Sequence, residues 1–221
     1  MLAESLIGAD LDADDGVALG YPSGRGVSNR LRLGDSARLR SGTVLYAGSR
    51  IGHRFATGHH VVVREDSIIG DDVSIWSNTV VDYCCVIGNR VKIHANCYIA
   101  QYTEIGDDVF LAPGVTCAND LYPGMAESAS LLLGPRLQAG AQIGVNVTLL
   151  PFVTVGRGAV VGAGSVVTRD IPAGSVAYGC PAVPVGDVES LRARWGPEGL
   201  GDVMRRRERL RRVPHYSGPE P

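Results

Sequence analysis

Residues 69–111, IGDDVSIWSNTVVDYCCVIGNRVKIHANCYIAQYTEIGDDVFL, decide the fold, because an aliphatic residue recurs in them at every sixth position. The series extends in both directions, and nineteen of its twenty members are Leu, Ile or Val; Thr57 is the exception. Its members are Leu33, Leu39, Leu45, Ile51, Thr57, Val63, Ile69, Ile75, Val81, Ile87, Ile93, Ile99, Ile105, Leu111, Leu137, Ile143, Leu149, Val155, Val161 and Val167. An internal repeat of this kind dominates any other indication of the fold.

The residue four places after each aliphatic position is small or β-branched, with Phe55 and Ile171 as bulky exceptions. A six-residue period does not match the 3.6-residue period of a helix, but it suits short strands with a corner after each one. Three hexads would make one triangular coil of eighteen residues, and successive coils would stack as parallel strands. The sequence therefore predicts an all-β protein, a parallel β-helix of about seven coils.

Composition excludes several function classes. The chain has 221 residues, a formal net charge of −2 and 20% charged residues, which argues against a basic nucleic-acid binder and a disordered acidic chain. Hydrophobic residues make up 45% of the chain and aromatic residues only 6%, so the core must be aliphatic.

The cysteines and the N-terminus indicate the compartment. Five cysteines without a CxxC pair suggest neither a disulfide scaffold nor a zinc knuckle. Residues 1–10 do not resemble a signal peptide, and no apolar run approaches a membrane span. We expect a cytoplasmic protein with no membrane and no nucleic-acid partner.

Interruptions of the period divide the chain. Residues 1–26 lack it and are expected to be an N-terminal lead-in and cap. The β-helix is expected over 27–185, with an excursion loop at 118–136, and a C-terminal helical extension and tail over 186–221. A long loop within a regular repeat is often functional, although a tolerated surface insertion is the alternative.

One predicted face is apolar although it points outward. Its outward residues on every third hexad are Val44, Val62, Val80, Tyr98 and Thr116. Exposed apolar stripes mark interfaces.

The aliphatic-Gly-x-x-small-x pattern, as in Ile69-Gly70 and Ile87-Gly88, resembles the hexapeptide repeat of the left-handed parallel β-helix acyltransferases. This resemblance implies the left-handed coil, a homotrimer with sites between subunits, and an acyl-CoA co-substrate, most often acetyl-CoA. The apolar stripe agrees with such a trimer.

The stretch FLAPGVTCANDLYPG, residues 110–124, resembles a segment of the nucleotide-sugar N-acetyltransferases of this fold. The resemblance places Asn119 at the substrate amine, with Asp120 beside it as a substrate contact. An Asn can position an amine or donate a hydrogen bond to an oxyanion, but it cannot act as a base. The alternative is an Asn that stabilises a turn.

His94 is the candidate general base. It follows Ile93 and is expected to point outward on the same face as the apolar stripe, with Trp76 one coil below. A histidine suits proton removal from an attacking hydroxyl near neutral pH. A structural interface histidine is the equal alternative.

His59 and His60 lie at an expected corner, where adjacent side chains diverge, so we expect substrate or turn contacts and no metal site. The segment VGAGSVVTRD, residues 161–170, resembles the last coils of the family, where backbone amides and a basic residue contact coenzyme A. By that resemblance Ala163 and Arg169 would bind the cofactor. Cys85 and Cys97 fall at inward positions and are expected in the core.

The sequence thus predicts an acyl-CoA-dependent acetyltransferase that modifies an amino or hydroxyl group of a sugar or sugar-like molecule by direct transfer. Two alternatives stay open: a metal-dependent hydratase of the hexapeptide-repeat carbonic anhydrase type, and a non-catalytic β-helix scaffold.

Overall fold

The computed structural model describes residues 5–26, 28, 30–194, 204–205 and 207–208. In them the chain forms short strands, most of two residues, separated by corners. Each repeat strand pairs in parallel with the strand one coil away, as Ile69 pairs with Ile87 eighteen residues later. The strands stack into three sheets, A, B and C, which form the sides of a triangular prism.

Sheet A contains β1 (Leu6–Ile7), β4 (Arg32–Leu33), β7 (Arg50–Ile51), β10 (Ile68–Ile69), β13 (Val86–Ile87), β16 (Glu104–Ile105), β19 (Arg136–Leu137) and β22 (Thr154–Val155). Sheet B contains β2 (Asp12–Ala13), β5 (Arg38–Leu39), β8 (Ala56–Thr57), β11 (Ser74–Ile75), β14 (Lys92–Ile93), β17 (Phe110–Leu111), β20 (Gln142–Ile143), β23 (Val160–Val161), β25 (Ser175–Gly179) and β26 (Ala182–Asp187). Sheet C contains β3 (Ala18–Tyr21), β6 (Val44–Tyr46), β9 (Val62–Val63), β12 (Val80–Val81), β15 (Tyr98–Ile99), β18 (Thr116–Cys117), β21 (Thr148–Leu149) and β24 (Val166–Val167).

The predicted all-β, left-handed parallel β-helix is confirmed, with seven coils from β4 to β24. The segment expected as a lead-in and cap contains a further coil, because β1 pairs with β4, β2 with β5 and β3 with β6. The period is present there at Ile7, Ala13 and Leu19, but the chain between β3 and β4 shifts it out of phase with Leu33.

The core is a single column of aliphatic side chains. The second residue of nearly every two-residue strand points inward and is buried, for example Ile75, Ile93 and Leu111. Hydroxyls at the small positions are also buried, and they donate to corner carbonyls, as Thr79 Oγ1 does to the His94 oxygen at 2.8 Å. Burial of polar atoms is therefore compensated.

Two exceptions to the repeat lie close together in one coil. Phe55 occupies a small position and Thr57 the following aliphatic position, and both are buried. Thr57 Oγ1 hydrogen-bonds Thr43 Oγ1 at 2.9 Å, which satisfies its buried hydroxyl. A larger and a smaller side chain at neighbouring inward positions keep the total core volume of the coil close to that of the repeat.

The glycine after the aliphatic residue is required where sheet A turns into sheet B, the A–B corner. A Cβ on Gly88 would lie 2.3 Å from Asp107 Oδ1 and 2.7 Å from the Asp107 nitrogen of the next coil. That carboxylate accepts the Asn89 N–H at 2.8 Å. Neighbouring coils can approach this closely at the A–B corner only because Gly88 has no side chain.

The excursion loop expected at 118–136 lies over residues 118–135, because Arg136 already belongs to β19, and it contains a 3₁₀ helix at Ser128–Ser130. After β24 the chain forms the antiparallel pair β25–β26, which ends sheet B, and then helix α1 (Val188–Arg194). The remainder of the expected C-terminal extension lies almost entirely outside the described residues. No helix among the described residues is long and apolar enough to cross a membrane.

Candidate active site

The predicted site residues lie on two different edges of the prism. The edge where sheet C turns into sheet A, the C–A corner, carries Asn119, Asp120 and Arg169. The edge where sheet B turns into sheet C, the B–C corner, carries His59, His60, His94 and Ala163. One side of the prism separates the two groups, at most about 20 Å for six extended residues. Within one chain, the structure does not bring Asn119 and His94 together.

Asn119 is held by a chain of side-chain amides. Its Nδ2 donates to Gln101 Oε1, and Gln101 Nε2 donates to Asp82 Oδ2 at 2.7 Å. The Tyr98 hydroxyl donates to the same carboxylate oxygen at 2.8 Å. Asp82 is only 5% exposed, so this chain begins on a buried carboxylate and ends at the surface.

The other oxygen of Asp82 is bound as firmly. Asp82 Oδ1 accepts from Arg64 Nη1 at 3.1 Å and from the Tyr83 backbone N–H at 2.8 Å. Four donors around one carboxylate fix its position. Burial and the Asp82 charge raise the pKa of Tyr98 to about 12, so the phenol stays protonated and keeps donating.

Below Asp82 the same corner holds a second buried carboxylate. Glu65 is 1% exposed and accepts from Arg64 Nη2 at 2.9 Å, and Arg25 lies 3.6 Å away. Burial would raise the pKa of Glu65, but hydrogen bonds from its own backbone amide and from Arg64 outweigh burial and lower it. The Arg25 guanidinium carbon lies 3.8 Å from the Tyr83 ring centroid, a cation–π contact.

Sequence reasoning missed Gln101, the partner of Asn119, although its spacing indicates it. Glu65, Tyr83, Gln101 and Asn119 are each eighteen residues apart, so they stack in one column at the C–A corner. Each sits at the same place after a sheet C strand. Reading the chain in steps of eighteen would have placed Gln101 directly below Asn119.

Arg169 belongs to this column as well. It follows β24, which is two strands beyond β18 in sheet C, and neighbouring strands are about 4.8 Å apart. Arg169 therefore lies roughly 10 Å above Asn119 along the prism, and it is exposed. Ala163 is exposed at the other corner, and among the described residues no acceptor takes its backbone N–H.

Asp120 organises the excursion loop. Its Oδ1 accepts the Tyr122 N–H at 2.8 Å, and its Oδ2 accepts from the Ser128 hydroxyl. The Leu133 N–H donates to the Asn119 carbonyl at 2.9 Å and closes the neck of the loop. Asp120 thus holds the loop in shape beside Asn119. The loop also exposes the apolar side chains of Leu121, Tyr122, Met125, Leu131 and Leu133.

His94 lies at the B–C corner and not on the outer face of sheet C, so the expectation that it shares the face of the stripe is wrong. His94 directly follows β14 of sheet B, where the chain begins to turn, and sheet C starts only at Tyr98. Trp76 does lie one coil below, with the rings stacked at 4.3 Å, and Phe110 lies 5.0 Å from the imidazole. Because aromatic stacking covers the faces of the imidazole ring, its edge nitrogens can still form a hydrogen bond.

His59 and His60 are exposed one coil below Trp76, with ring centroids 6.5 Å apart. His59 Nδ1 contacts Ser41 Oγ at 2.9 Å, and its backbone N–H donates to Ser77 Oγ at 3.0 Å. These are contacts within the corner. Among the described residues, no group of three or more His, Cys, Asp or Glu is placed to hold a metal ion.

Three cysteines lie in the core. Cys85, Cys97 and Cys117 are buried, and burial raises the pKa of Cys85 to about 12. Burial also raises the pKa of Cys97 and Cys117. The predicted core position of Cys85 and Cys97 is confirmed, and such thiols are poor nucleophiles.

Sheet C has an uncharged outer face along its whole length. Its outward residues are Ala18, Val44, Val62, Val80, Tyr98, Thr116, Thr148 and Val166. Sheets A and B carry charged outward residues such as Arg50, Glu104 and Lys92. The predicted stripe is therefore one complete side of the prism.

Comparison with known proteins agrees with this architecture. Residues 84–119 and 134–169 match the family described as bacterial transferase hexapeptide (six repeats), and the gap between them coincides with the excursion loop. These two segments, about a third of the chain, resemble the bacterial transferase hexapeptide repeat. The predicted resemblance to the hexapeptide-repeat acyltransferases is thus confirmed.

Curated relatives are similar to part of this chain. The galactoside O-acetyltransferase of Escherichia coli is 34% identical over 110 residues, which cover 42% of this chain and 52% of that protein. The bifunctional protein GlmU of Rubrobacter xylanophilus is 37% identical over 110 residues, 50% of this chain and 22% of that protein. GlmU of Bacillus velezensis is 31% identical over 195 residues, 74% of this chain and 41% of that protein. The chain therefore spans between about a fifth and about half of these relatives.

Proposed function

We propose that this protein is an acetyl-CoA-dependent acetyltransferase that modifies an amino group, or else a hydroxyl group, of a sugar or sugar-like small molecule. The observation that carries the proposal is Asn119, held at the neck of the excursion loop by an amide chain that starts on buried Asp82. The hexapeptide repeats and the similarity to a galactoside O-acetyltransferase support the class of reaction.

The working form in this proposal is a homotrimer. If the uncharged faces of sheet C from three copies surround a threefold axis, the C–A corner of each copy meets the B–C corner of the next. Each of the three clefts then contains Asn119 and Arg169 from one copy and His94 and Ala163 from its neighbour. This arrangement accounts for predicted site residues on two separate edges of one chain.

The chemistry in such a cleft is direct transfer. The acceptor nitrogen or oxygen attacks the thioester carbonyl, the tetrahedral oxyanion is stabilised by backbone N–H groups, and coenzyme A leaves as the thiol. Asn119 would position the acceptor. The exposed Ala163 N–H and the Arg169 guanidinium would contact acetyl-CoA, and His94 would remove the proton of a hydroxyl acceptor. The five free cysteines suit a reducing compartment, so we propose a cytoplasmic enzyme.

The experiment is a panel of amino sugars and hydroxy sugars with acetyl-CoA, in which release of free thiol is followed. Transfer to an acceptor supports the proposal, and His94→Ala and Asn119→Ala then separate the acceptor types. A hydroxyl acceptor predicts a loss of about 10²–10⁴-fold in kcat for His94→Ala, the usual contribution of a positioned base. An amine acceptor predicts little effect of His94→Ala and a clear loss for Asn119→Ala.

Other outcomes would overturn the proposal. No binding of acetyl-CoA by calorimetry, together with no transfer across the panel, would favour a scaffold. Stoichiometric zinc in the purified protein with bicarbonate-forming activity would favour a hydratase.

A further inference from the structure

The hydrogen-bond chain behind Asn119 has a direction. An ionised carboxylate only accepts hydrogen bonds, whereas a side-chain amide has one accepting and one donating end. Asp82 therefore compels Gln101 to turn its Nε2 inward, as observed at 2.7 Å. Gln101 Oε1 then faces Asn119, and only the Nδ2 end of Asn119 can satisfy it.

The consequence is the orientation of the Asn119 amide at the surface. With Nδ2 turned toward Gln101, the carbonyl oxygen Oδ1 lies on the other branch of the amide, away from the chain. Among the described residues no donor binds this oxygen. At the edge of the candidate cleft, Asn119 therefore presents its Oδ1 as a hydrogen-bond acceptor. The orientation of this amide is set by Asp82 through Gln101.

We infer that Asp82 and Gln101 are positioning residues that lock Asn119 with its oxygen toward the acceptor, and that the site is built for an amine. The inference rests on the proposed acetyltransferase function and specifies its substrate class. An amine that donates one N–H to Asn119 Oδ1 keeps its lone pair free to attack the thioester. A hydroxyl bound in this way still has to lose its proton, and an amide oxygen is not a base that can take it.

The donors around Asp82 make the inference specific. In Asp82→Asn, Arg64 and the Tyr83 N–H can only donate and still require an oxygen at the Oδ1 position, so the new NH₂ group must replace Oδ2. The Tyr98 hydroxyl, which donates to Oδ2 in the wild type, can rotate and accept from this NH₂ group. The NH₂ group then faces Gln101 as a donor, and the Gln101 amide has to rotate. Asn119 has to rotate in turn and presents Nδ2 to the amine. The variant thus reverses the direction of both hydrogen bonds, from residue 82 to Gln101 and from Gln101 to Asn119.

This reversal of the hydrogen bonds gives a test that separates positioning of Asn119 from a merely structural role. Asn119→Asp places an oxygen against Gln101 Oε1 in the wild-type background, so it should lower kcat for the amine about 10- to 100-fold. In the Asp82→Asn background the same substitution accepts from the rotated Gln101 and again presents an oxygen outward. There it should raise kcat at least about tenfold over Asp82→Asn alone. The KM for acetyl-CoA should stay constant.

An NMR measurement that does not depend on enzymatic activity tests the inference separately from the proposed function. In ¹⁵N-labelled full-length protein, the side-chain NH₂ signals of Asn119 and Gln101 are assigned by their loss in Asn119→Asp and Gln101→Met. Asp82→Asn should shift the Asn119 signal, and so should Gln101→Met, which covers the case in which Asp82→Asn does not fold. Asp72→Asn, a matched change at the remote A–B corner where Asp72 pairs with Arg54, should shift neither signal and leave kcat unchanged.

Glucosamine and glucose serve as amine and hydroxyl probes in the same spectra. Glucosamine should perturb the Asn119 signal in the wild type and not in Asp82→Asn, while glucose should perturb it in neither. An Asn119 signal unmoved by Asp82→Asn, or equal harm from Asn119→Asp in both backgrounds, would overturn the inference. A wild type that transfers acetyl to no acceptor would refute the proposed function alone, because the NMR comparison still decides the inference.

Discussion

A single charge on the outer face of sheet C should prevent assembly, and Val62 is the position to place it. Val62 pairs in register with Val44 on one side and Val80 on the other, and all three point outward. In Val62→Asp the carboxylate would lie between two valines inside the proposed trimer interface. The nearby Arg64 already pairs with buried carboxylates and is not available to neutralise it.

The expected magnitude follows from the symmetry. Leaving one charge unpaired in an interface costs about 3–5 kcal/mol. A threefold trimer contains the substitution three times, so assembly loses roughly 9 kcal/mol or more. At about 1.4 kcal/mol per factor of ten, the association constant falls by about six powers of ten or more. Protein at micromolar concentration should then be monomeric.

Sedimentation velocity measures this directly. Wild type should sediment as a trimer and Val62→Asp as a monomer with an unchanged far-ultraviolet circular dichroism spectrum. Ala56→Asp is the control, because Ala56 lies outward on sheet B and pairs in register with Arg38. It should remain trimeric. A trimeric Val62→Asp, or a monomeric wild type with full activity, would refute the assignment of sheet C as the interface and with it the composite cleft.

Three further predictions concern the corners. Gly88→Ala should lower Tm by several degrees because its Cβ meets the Asp107 backbone, whereas Gly24→Ala, which meets nothing within 4 Å, should leave Tm nearly unchanged. Arg169→Ala should raise the KM for acetyl-CoA roughly tenfold, the contribution of one charged hydrogen bond, and leave the KM for the acceptor unchanged. The same KM for acetyl-CoA in wild type and variant would contradict a role of Arg169 in binding acetyl-CoA. Because the folded-state pKa of Glu65 is lowered, its ionised form stabilises the fold above its usual pKa near 4.5, and this stability is lost as pH falls below it. The Tm of Glu65→Gln should therefore decrease less than the Tm of the wild type between about pH 6 and 3. An equal decrease in both proteins would contradict this.

The fold could be predicted from the sequence because every hexad repeats the same local requirement. An inward aliphatic residue and a small residue next to the corner recur often enough that single exceptions do not hide them. The coil of β1–β3 escaped prediction for the opposite reason. Its residues at the repeat position, Ile7, Ala13 and Leu19, keep the period, but the insertion before Leu33 breaks the phase, and one coil alone is too short to stand out.

Only part of the candidate site can be predicted from the sequence. The loop motif predicts a role for Asn119, but Gln101 and Asp82 resemble the polar corner residues that any solvated turn would carry. The eighteen-residue spacing places Gln101 one coil below Asn119 once the period is treated as a coordinate along the prism. Only the fold shows that Asp82, two coils below Asn119, is buried and accepts from Gln101.

The same reasoning explains why the two groups of site residues cannot converge within one chain. A regular triangular prism is convex, so residues at one corner form a column, and residues at different corners stay a full side apart. A pocket on such a body needs either an interruption of the repeat or a neighbouring body. This chain interrupts its repeat between β18 and β19, immediately after Asn119, and it keeps the adjoining face of sheet C free of charge. Both features act on the same edge of the prism, which is why the proposed cleft is placed there and not at the salt-bridged A–B corner, where Arg54 pairs with Asp72 and Arg90 with Asp108.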